Sequence, residues 1–363
     1  MLLTTIMLVP DSLPLILSIL TLASNVQITA TTSQPDAGEC FPTPFRDGVG
    51  DGRLRMVCHL TAINSEEERT NFSVIPADHT ASLTIKCIDQ SVISYLEPRG
   101  FKSLVWLEEL SIQDCNLETI PDKTFVGLTR LTSLNIKSST NGELSFSRGS
   151  FDGLANLQNL DISDNRVRFI ERGVLCSMPN LGYLNLSSSD LDSVSELGLT
   201  TSVSGANCLR NVKTLDLSRN RLTSIRWHEM EAGEETSQNS LFSFPNMEKL
   251  LLSHNLIRSL DEDSLAFINS NSVHIDLSNN LLTYLPPNIF SFSTFKHVSL
   301  ANNSITSLPN EVFSNQRNLE YLDLSGNDLQ SSELKPTLFA ETPHLTQLYL
   351  NDNRYCDVHF VIF

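Results

Sequence analysis

From Leu107 to Tyr355 the apolar residues fall at fixed offsets, and the pattern LxxLxLxxNxL recurs in ten copies. The clearest read LQNLDISDNRV (Leu157 to Val167), VKTLDLSRNRL (Val212 to Leu222), FKHVSLANNSI (Phe295 to Ile305) and LEYLDLSGNDL (Leu319 to Leu329). Successive copies start at 107, 131, 157, 181, 212, 247, 272, 295, 319 and 345, so the spacings are 24, 26, 24, 31, 35, 25, 23, 24 and 26. The alternation inside LxxLxL predicts a short strand whose fourth and sixth residues point one way and whose fifth points the other. Leu160 and Ile162 therefore enter a core while Asp161 looks out. One such strand cannot bury its own apolar face, so neighbouring copies must stack to close the core.

A period of this length and composition is that of the leucine-rich repeat. The expected architecture is an α/β solenoid, a horseshoe with a parallel concave β-sheet. Position nine is Asn at 165, 220, 255, 280, 303, 327 and 353. Its amide both donates and accepts, so it can satisfy turn backbone groups that would otherwise be buried unpaired. Cys115, Ser139 and Ser189 hold that slot in other copies. Pro121, Pro286 and Pro309 follow the last inward apolar residue and resist regular helix there. Phe125, Phe151, Phe290, Phe313 and Phe339 then recur as an aromatic spine on the wider, convex side.

Four segments follow from the pattern. Residues 1–30 read as a secretory signal, with the apolar stretch LPLILSILTLA (Leu13 to Ala23) and cleavage between about 23 and 30. Residues 31–106 form a cysteine-containing amino-terminal cap with an irregular first repeat; residues 107–355 hold the ten repeats, the last incomplete; residues 356–363 are a non-repeat tail. No other stretch is long and apolar enough to span a bilayer, so no anchor is expected in this chain. Seven cysteines, at 40, 58, 87, 115, 176, 208 and 356, fit an oxidising compartment. Cys176 and Cys208 fall on the convex side of adjacent turns, which predicts a disulfide between them. By the same stacking, Cys87 and Cys115 either pair or stay buried thiols. Cys40–Cys58 would staple the cap and leave Cys356 alone. Sequons stand at Asn71, Asn185 and Asn302.

Asp and Glu number 42 against 25 Lys and Arg, a net charge of −17. That balance argues against nucleic acid or an anionic membrane as partner and favours a protein with a basic patch. The two long copies carry extra residues around Ser195–Cys208 and Glu231–Ser240, which are expected to be loops. No phosphate loop, HExxH, CxxC or GxSxG occurs, so no enzyme, cofactor or metal site is expected. Asp161, Asp216, Asp276 and Asp323 share the fifth position as a column of outward carboxylates, which reads as ordinary repeat sequence rather than a calcium or catalytic site. His274 and His297 share the third position of adjacent copies. A metal pair or a pH switch is one reading, and two exposed surface histidines is the plainer one.

The segments MVCHLTAINSEEERTNFSVI (Met56 to Ile75), LTIKC (Leu83 to Cys87) and LSIQDCNL (Leu110 to Leu117) are more specific than any single repeat. They resemble the start of insect-type Toll receptors, in particular the branch that includes Tollo and 18-wheeler. VLCSMPNLGYLNLSSSDLDSVSELG (Val174 to Gly198) and Cys208 resemble the same branch, and the likeness covers roughly residues 40 to 355. It implies an ectodomain that binds protein ligands, either cystine-knot cytokines of the Spätzle type or other cell-surface receptors, in innate immunity, development and cell recognition. Such receptors continue through more repeats, a transmembrane helix and a TIR domain. This chain breaks its pattern at Asn353–Tyr355, so the expectation is a truncated product unable to signal unaided. The alternative is a secreted repeat protein with a structural, adhesive or decoy role. A solenoid offers an extended concave and lateral surface to a partner, and the candidate contact residues are those of the concave face. In the repeat frame Glu108, Glu109, Gln158, Asn159, Tyr183, Tyr321 and Tyr349 line it, and the tyrosines are the expected energetic anchors.

Overall fold

The computed structural model describes residues 38–43, 53–66, 69–138, 142–171, 173–194, 208–225, 243–330, 332 and 334–354. The expected signal segment, both long insertions (apart from Cys208) and the tail with Cys356 lie outside them. Among the described residues thirteen strands form one sheet in strict chain order. Glu39–Thr43 pairs antiparallel with Leu54–Leu60, and every later pairing is parallel. The repeat strands follow in register from Glu109–Gln113 to Gln347–Tyr349. The hairpin covers the edge that the first parallel strand would leave open, which is how a solenoid end avoids exposing unpaired backbone.

The faces divide as the pattern requires. Leu160, Ile162, Leu215, Leu217, Leu322 and Leu324 are fully buried, while Asp161, Asp216 and Asp323 are half-exposed on the other face. One copy departs from the frame. Ser272, expected at the first inward position, is exposed, and Val273 is fully buried in its place. The register shifts between Val273 and His274 to allow it. A serine hydroxyl has no reason to enter an apolar core, so the chain slips by one residue.

The ninth-position amides act as inferred. Asn220 Nδ2 donates to Leu186 O (2.9 Å) in the preceding repeat and to Leu217 O (3.0 Å) in its own, while Oδ1 accepts from Ser189 N (2.9 Å) and Leu191 N (3.1 Å). Asn165, Asn255, Asn280, Asn303, Asn327 and Asn353 repeat the arrangement. Where Ser139 was expected, the buried hydroxyl is that of Ser138, one residue earlier, donating to Cys115 O at 2.8 Å. Its N–H is accepted by Asn165 Oδ1. Ser139 itself lies outside the described residues.

On the convex side the phenylalanines stack: Phe101 on Phe125 (6.2 Å between ring centroids), Phe125 on Phe151 (6.3 Å), Phe290 on Phe313 (5.8 Å) and Phe313 on Phe339 (6.1 Å). The α component of the expected fold class is absent from the described residues, where this side carries short 3-10 turns such as Val174–Ser177 and Pro336–Phe339. A proline after the last inward residue and repeats of about 24 residues leave little length for regular helix. No helix there is long and apolar enough to cross a membrane.

All three expected disulfides form: Cys40–Cys58, Cys87–Cys115 and Cys176–Cys208, with Cα separations of 4.0, 4.8 and 4.8 Å. Cys87 and Cys115 are therefore not free thiols. The first bridge ties the two strands of the capping hairpin at a directly opposed pair.

Candidate functional site: the concave face

Strand register sets two columns of outward side chains. The third-position column runs Glu109, Ser133, Asn159, Tyr183, Thr214, Lys249, His274, His297, Tyr321, Gln347. The fifth-position column runs Ser111, Asn135, Asp161, Asn185, Asp216, Leu251, Asp276, Ser299, Asp323, Tyr349.

The carboxylates of the second column never stand side by side, because Asn185, Leu251 and Ser299 separate them. Each is tied to its own turn: Asp216 Oδ1 accepts from Ser218 N (2.9 Å) and Ser218 Oγ (2.6 Å), and Asp323 does the same with Ser325. These acids bend the chain out of the strand. Among the described residues no three His, Cys, Asp or Glu side chains converge to hold a metal ion.

Near its end the first column carries an aromatic strip. His274 lies face to face with His297 at 4.0 Å and 6°. His297 stacks on Tyr321 (5.4 Å, 22°), and Tyr321 meets Tyr349 from the other column (5.3 Å, 43°). Tyr321 Oη donates to Asp323 Oδ2 at 3.2 Å. Burial, followed by the Asp323 carboxylate, pushes the Tyr321 phenol up to about 12. Burial likewise raises the Tyr183 phenol, with Asp161 and Asp216 on either side adding to the shift. Burial and the neighbouring lysines hold both histidines below the usual imidazole value, and His274 is lowered further by His297 itself. Ion pairs flank the strip, Lys213 with Glu248 (2.8 Å) and Lys296 with Glu320 (3.3 Å).

The other expected contact residues fall elsewhere. Glu108 and Glu109 face the cap and pair with Arg53 (2.7 Å) and Arg55 (4.0 Å). Gln158 and Asn159 are exposed in the middle of the sheet, far along the column from the strip, and Tyr183 is half-buried beside them. Taken by themselves, His274 and His297 look like an isolated pair, but Tyr321 and Tyr349 continue them. The common third position of 274, 297 and 321 was the available signal. Of the sequons, Asn71 and Asn302 are exposed, whereas Asn185 is 8% exposed and its Oδ1 accepts from Ser187 N at 2.9 Å.

Two stretches, residues 139–191 and 293–354, match the leucine-rich repeat family model. Toll-like receptor 7 of Drosophila melanogaster is 31% identical over 220 residues, 56% of this chain and 14% of that protein. Tsukushi of Xenopus tropicalis is 28% identical over 184 residues, 50% of this chain and 49% of that protein. The chain thus spans a seventh to a half of the length of these relatives. Among solved structures, the mouse RP105/MD-1 complex superposes with a TM-score of 0.53 at 25% identity, covering 71% of this chain and 40% of that one. The repeat geometry and these matches agree: the chain is a leucine-rich repeat solenoid, related at about 30% identity to Toll-like receptors and to other proteins built on the same repeat.

Proposed function

We propose that this chain is the ligand-binding repeat region of an extracellular Toll-type receptor, and that it takes a protein partner on the concave strip His274–His297–Tyr321–Tyr349. The observation that carries this reading is the strip itself. Four partly exposed rings, three in one column and Tyr349 beside them, lie on successive strands with ion pairs around them, and an aromatic centre with a polar rim is how protein interfaces concentrate their energy. The likeness to Drosophila Toll-like receptor 7 supports a receptor, and the likeness to the mouse RP105/MD-1 complex supports a protein as the partner. Three disulfides suit an extracellular site. The net charge of −17 favours a partner with a basic surface. The finer expectation, a cystine-knot cytokine or another cell-surface receptor, defines the first panel to try.

The test is the secreted chain offered to such a panel at low and high salt. Tyr321→Ala and Tyr349→Ala are expected to weaken capture by about tenfold or more each, the loss typical of an aromatic anchor. Gln158→Ala, remote from the strip, is expected to change it little. Equal capture by all three variants would remove the strip from the site.

A second reading rests on the Tsukushi match, which covers half of that protein as well as half of this chain. It makes the chain a secreted repeat protein with an adhesive, structural or decoy role. Association with extracellular matrix that is indifferent to Tyr321→Ala would favour it.

A further inference from the structure

The contact between His274 and His297 holds only for particular charge states. Two neutral imidazoles stack comfortably with centroids 4.0 Å apart. Two imidazolium ions at that distance repel, and each seeks water. The neighbouring strands supply little to offset this. Lys249 comes from Lys249–Leu251, with Glu248 one residue earlier; Lys296 comes from Phe295–Ser299; Tyr321 and Asp323 come from Tyr321–Asp323, with Glu320 just before it. Asp276 ends the strand that carries His274. Glu248 is engaged by Lys213 and Glu320 by Lys296. Asp276 and Asp323 accept from the backbone of Ser278 and Ser325. The two lysines therefore add to the positive field, and Glu320 is the carboxylate that opposes it at both rings.

We propose that the histidine pair is a proton-operated latch on the concave strip. Neutral and stacked, it completes a flat, uncharged docking face; doubly protonated, it parts, and the strip turns cationic and releases a partner with a basic surface. This rests on the reading of the strip as the docking face. His297 is the link, since it alone touches both His274 and Tyr321, so its movement is passed along the file. The device works on the acid side of the ordinary imidazole range, because burial and mutual repulsion both oppose the charged forms.

Two measurements decide it. In the full chain labelled at histidine and tyrosine, NMR from about pH 8 to about pH 4 is expected to show His274 and His297 titrating in two linked steps, below the ordinary imidazole value. The Tyr321 ring resonances should move with the second step. In the His274→Phe/His297→Phe variant, and in His297→Phe alone should the double variant fold poorly, the Tyr321 shift should vanish. Independent titration of the pair, or a Tyr321 ring that stays still, overturns the latch whatever the partner is. The second measurement uses the cystine-knot cytokine that the panel retains best at neutral pH. Its affinity is expected to fall by roughly tenfold or more on acidification, the effect of about one pKa unit of mutual repulsion, and to stay level in the phenylalanine variant. Retention that ignores pH in the native chain overturns the release step. A panel with no retained cytokine counts against the functional reading alone, and the NMR result still decides the latch.

Discussion

The side-chain amide of Asn255 donates to the carbonyl of Leu217, one repeat upstream, at 2.9 Å, and its Oδ1 accepts from Leu222 N at 3.0 Å. It also donates to Leu252 O within its own repeat at 3.0 Å. One buried residue thus satisfies backbone groups on two successive turns that water does not reach. A second file of asparagines, Asn156, Asn180, Asn211 and Asn246, lies just before the first apolar residue of four successive copies. Each donates once to the preceding repeat, at 2.8, 2.9, 2.8 and 2.9 Å, but from an exposed position.

The two files predict different costs. Asn255→Ala leaves several buried backbone groups unpaired and is expected to destabilise by about 2–4 kcal/mol, less than the sum of three separate bonds because such losses are not additive. Asn246→Ala gives its partner back to water and is expected to cost under about 1 kcal/mol. Denaturant unfolding of the two variants checks this; equal costs would mean that burial is not what gives the ninth position its weight.

The eighth position carries a backbone requirement. Asp114, Asp164, Ser188, Arg219, His254, Asn279, Asn302, Gly326 and Asp352 all stand at φ between 53° and 64°. Gly326 is the one glycine in that file, and a Cβ there would run into the Oδ1 of Asn302. Gly326→Ala is therefore expected to cost about 1–2 kcal/mol of left-handed strain, plus the clash. Asn302 also stands at φ 54°, so Asn302→Ala brings strain of its own, and the clash is read from a double-mutant cycle in which the double variant loses less than the two single variants together. If the two losses simply add, contact with Asn302 is not the reason that glycine occupies the site.

The sugar sites separate by exposure. Asn185 occupies an outward position on its strand, yet it is 8% exposed and its side chain is held by Ser187 N. Glycopeptide mass spectrometry of the secreted folded chain is expected to find Asn185 bare and sugar confined to Asn71 or Asn302, both exposed. A fully occupied Asn185 would mean that the centre of the sheet opens wider than the structure has it.

Period, strand, facing and the asparagine ladder were legible because each repeats some ten times, so a departure in one copy is outvoted. Departures themselves were not legible. The slip from Ser272 to Val273 and the exchange of Ser139 for Ser138 depend on which single residue tolerates burial, and an alignment to the repeat hides that. The left-handed eighth position was hidden for another reason. Asp, Asn, His and Gly there hint at it, but Ser188 and Arg219 have no such preference, and the backbone imposes the conformation on them. The site was half visible. Tyr321 and Tyr349 were expected on the concave face, whereas the glutamates grouped with them turn out to hold Arg53 and Arg55 of the cap region. Pairings to residues ahead of the first regular copy are outside what a repeat frame can index.

Tyr321 offers a titration that reads the strip directly. Its phenol is pushed up to about 12, first by burial, then by the Asp323 carboxylate that its hydroxyl donates to. A raised value in the folded state means that the neutral phenol is the favoured form. The stabilisation is fully present below the ordinary tyrosine value near 10 and is lost as pH rises through about 12. Ultraviolet titration of the six tyrosines, with circular dichroism recorded in parallel to confirm folding, is expected to show a phenol ionising at about 12, above the ordinary tyrosine value. Tyr321→Phe should delete that late step. Asp323→Asn should bring it forward while sparing the turn, since the amide oxygen can still accept from Ser325 N, which now reaches Asp323 Oδ1 at 2.9 Å. If the late phenol survives Tyr321→Phe, the perturbed ring is another one, with Tyr183, also raised by burial, the first to examine.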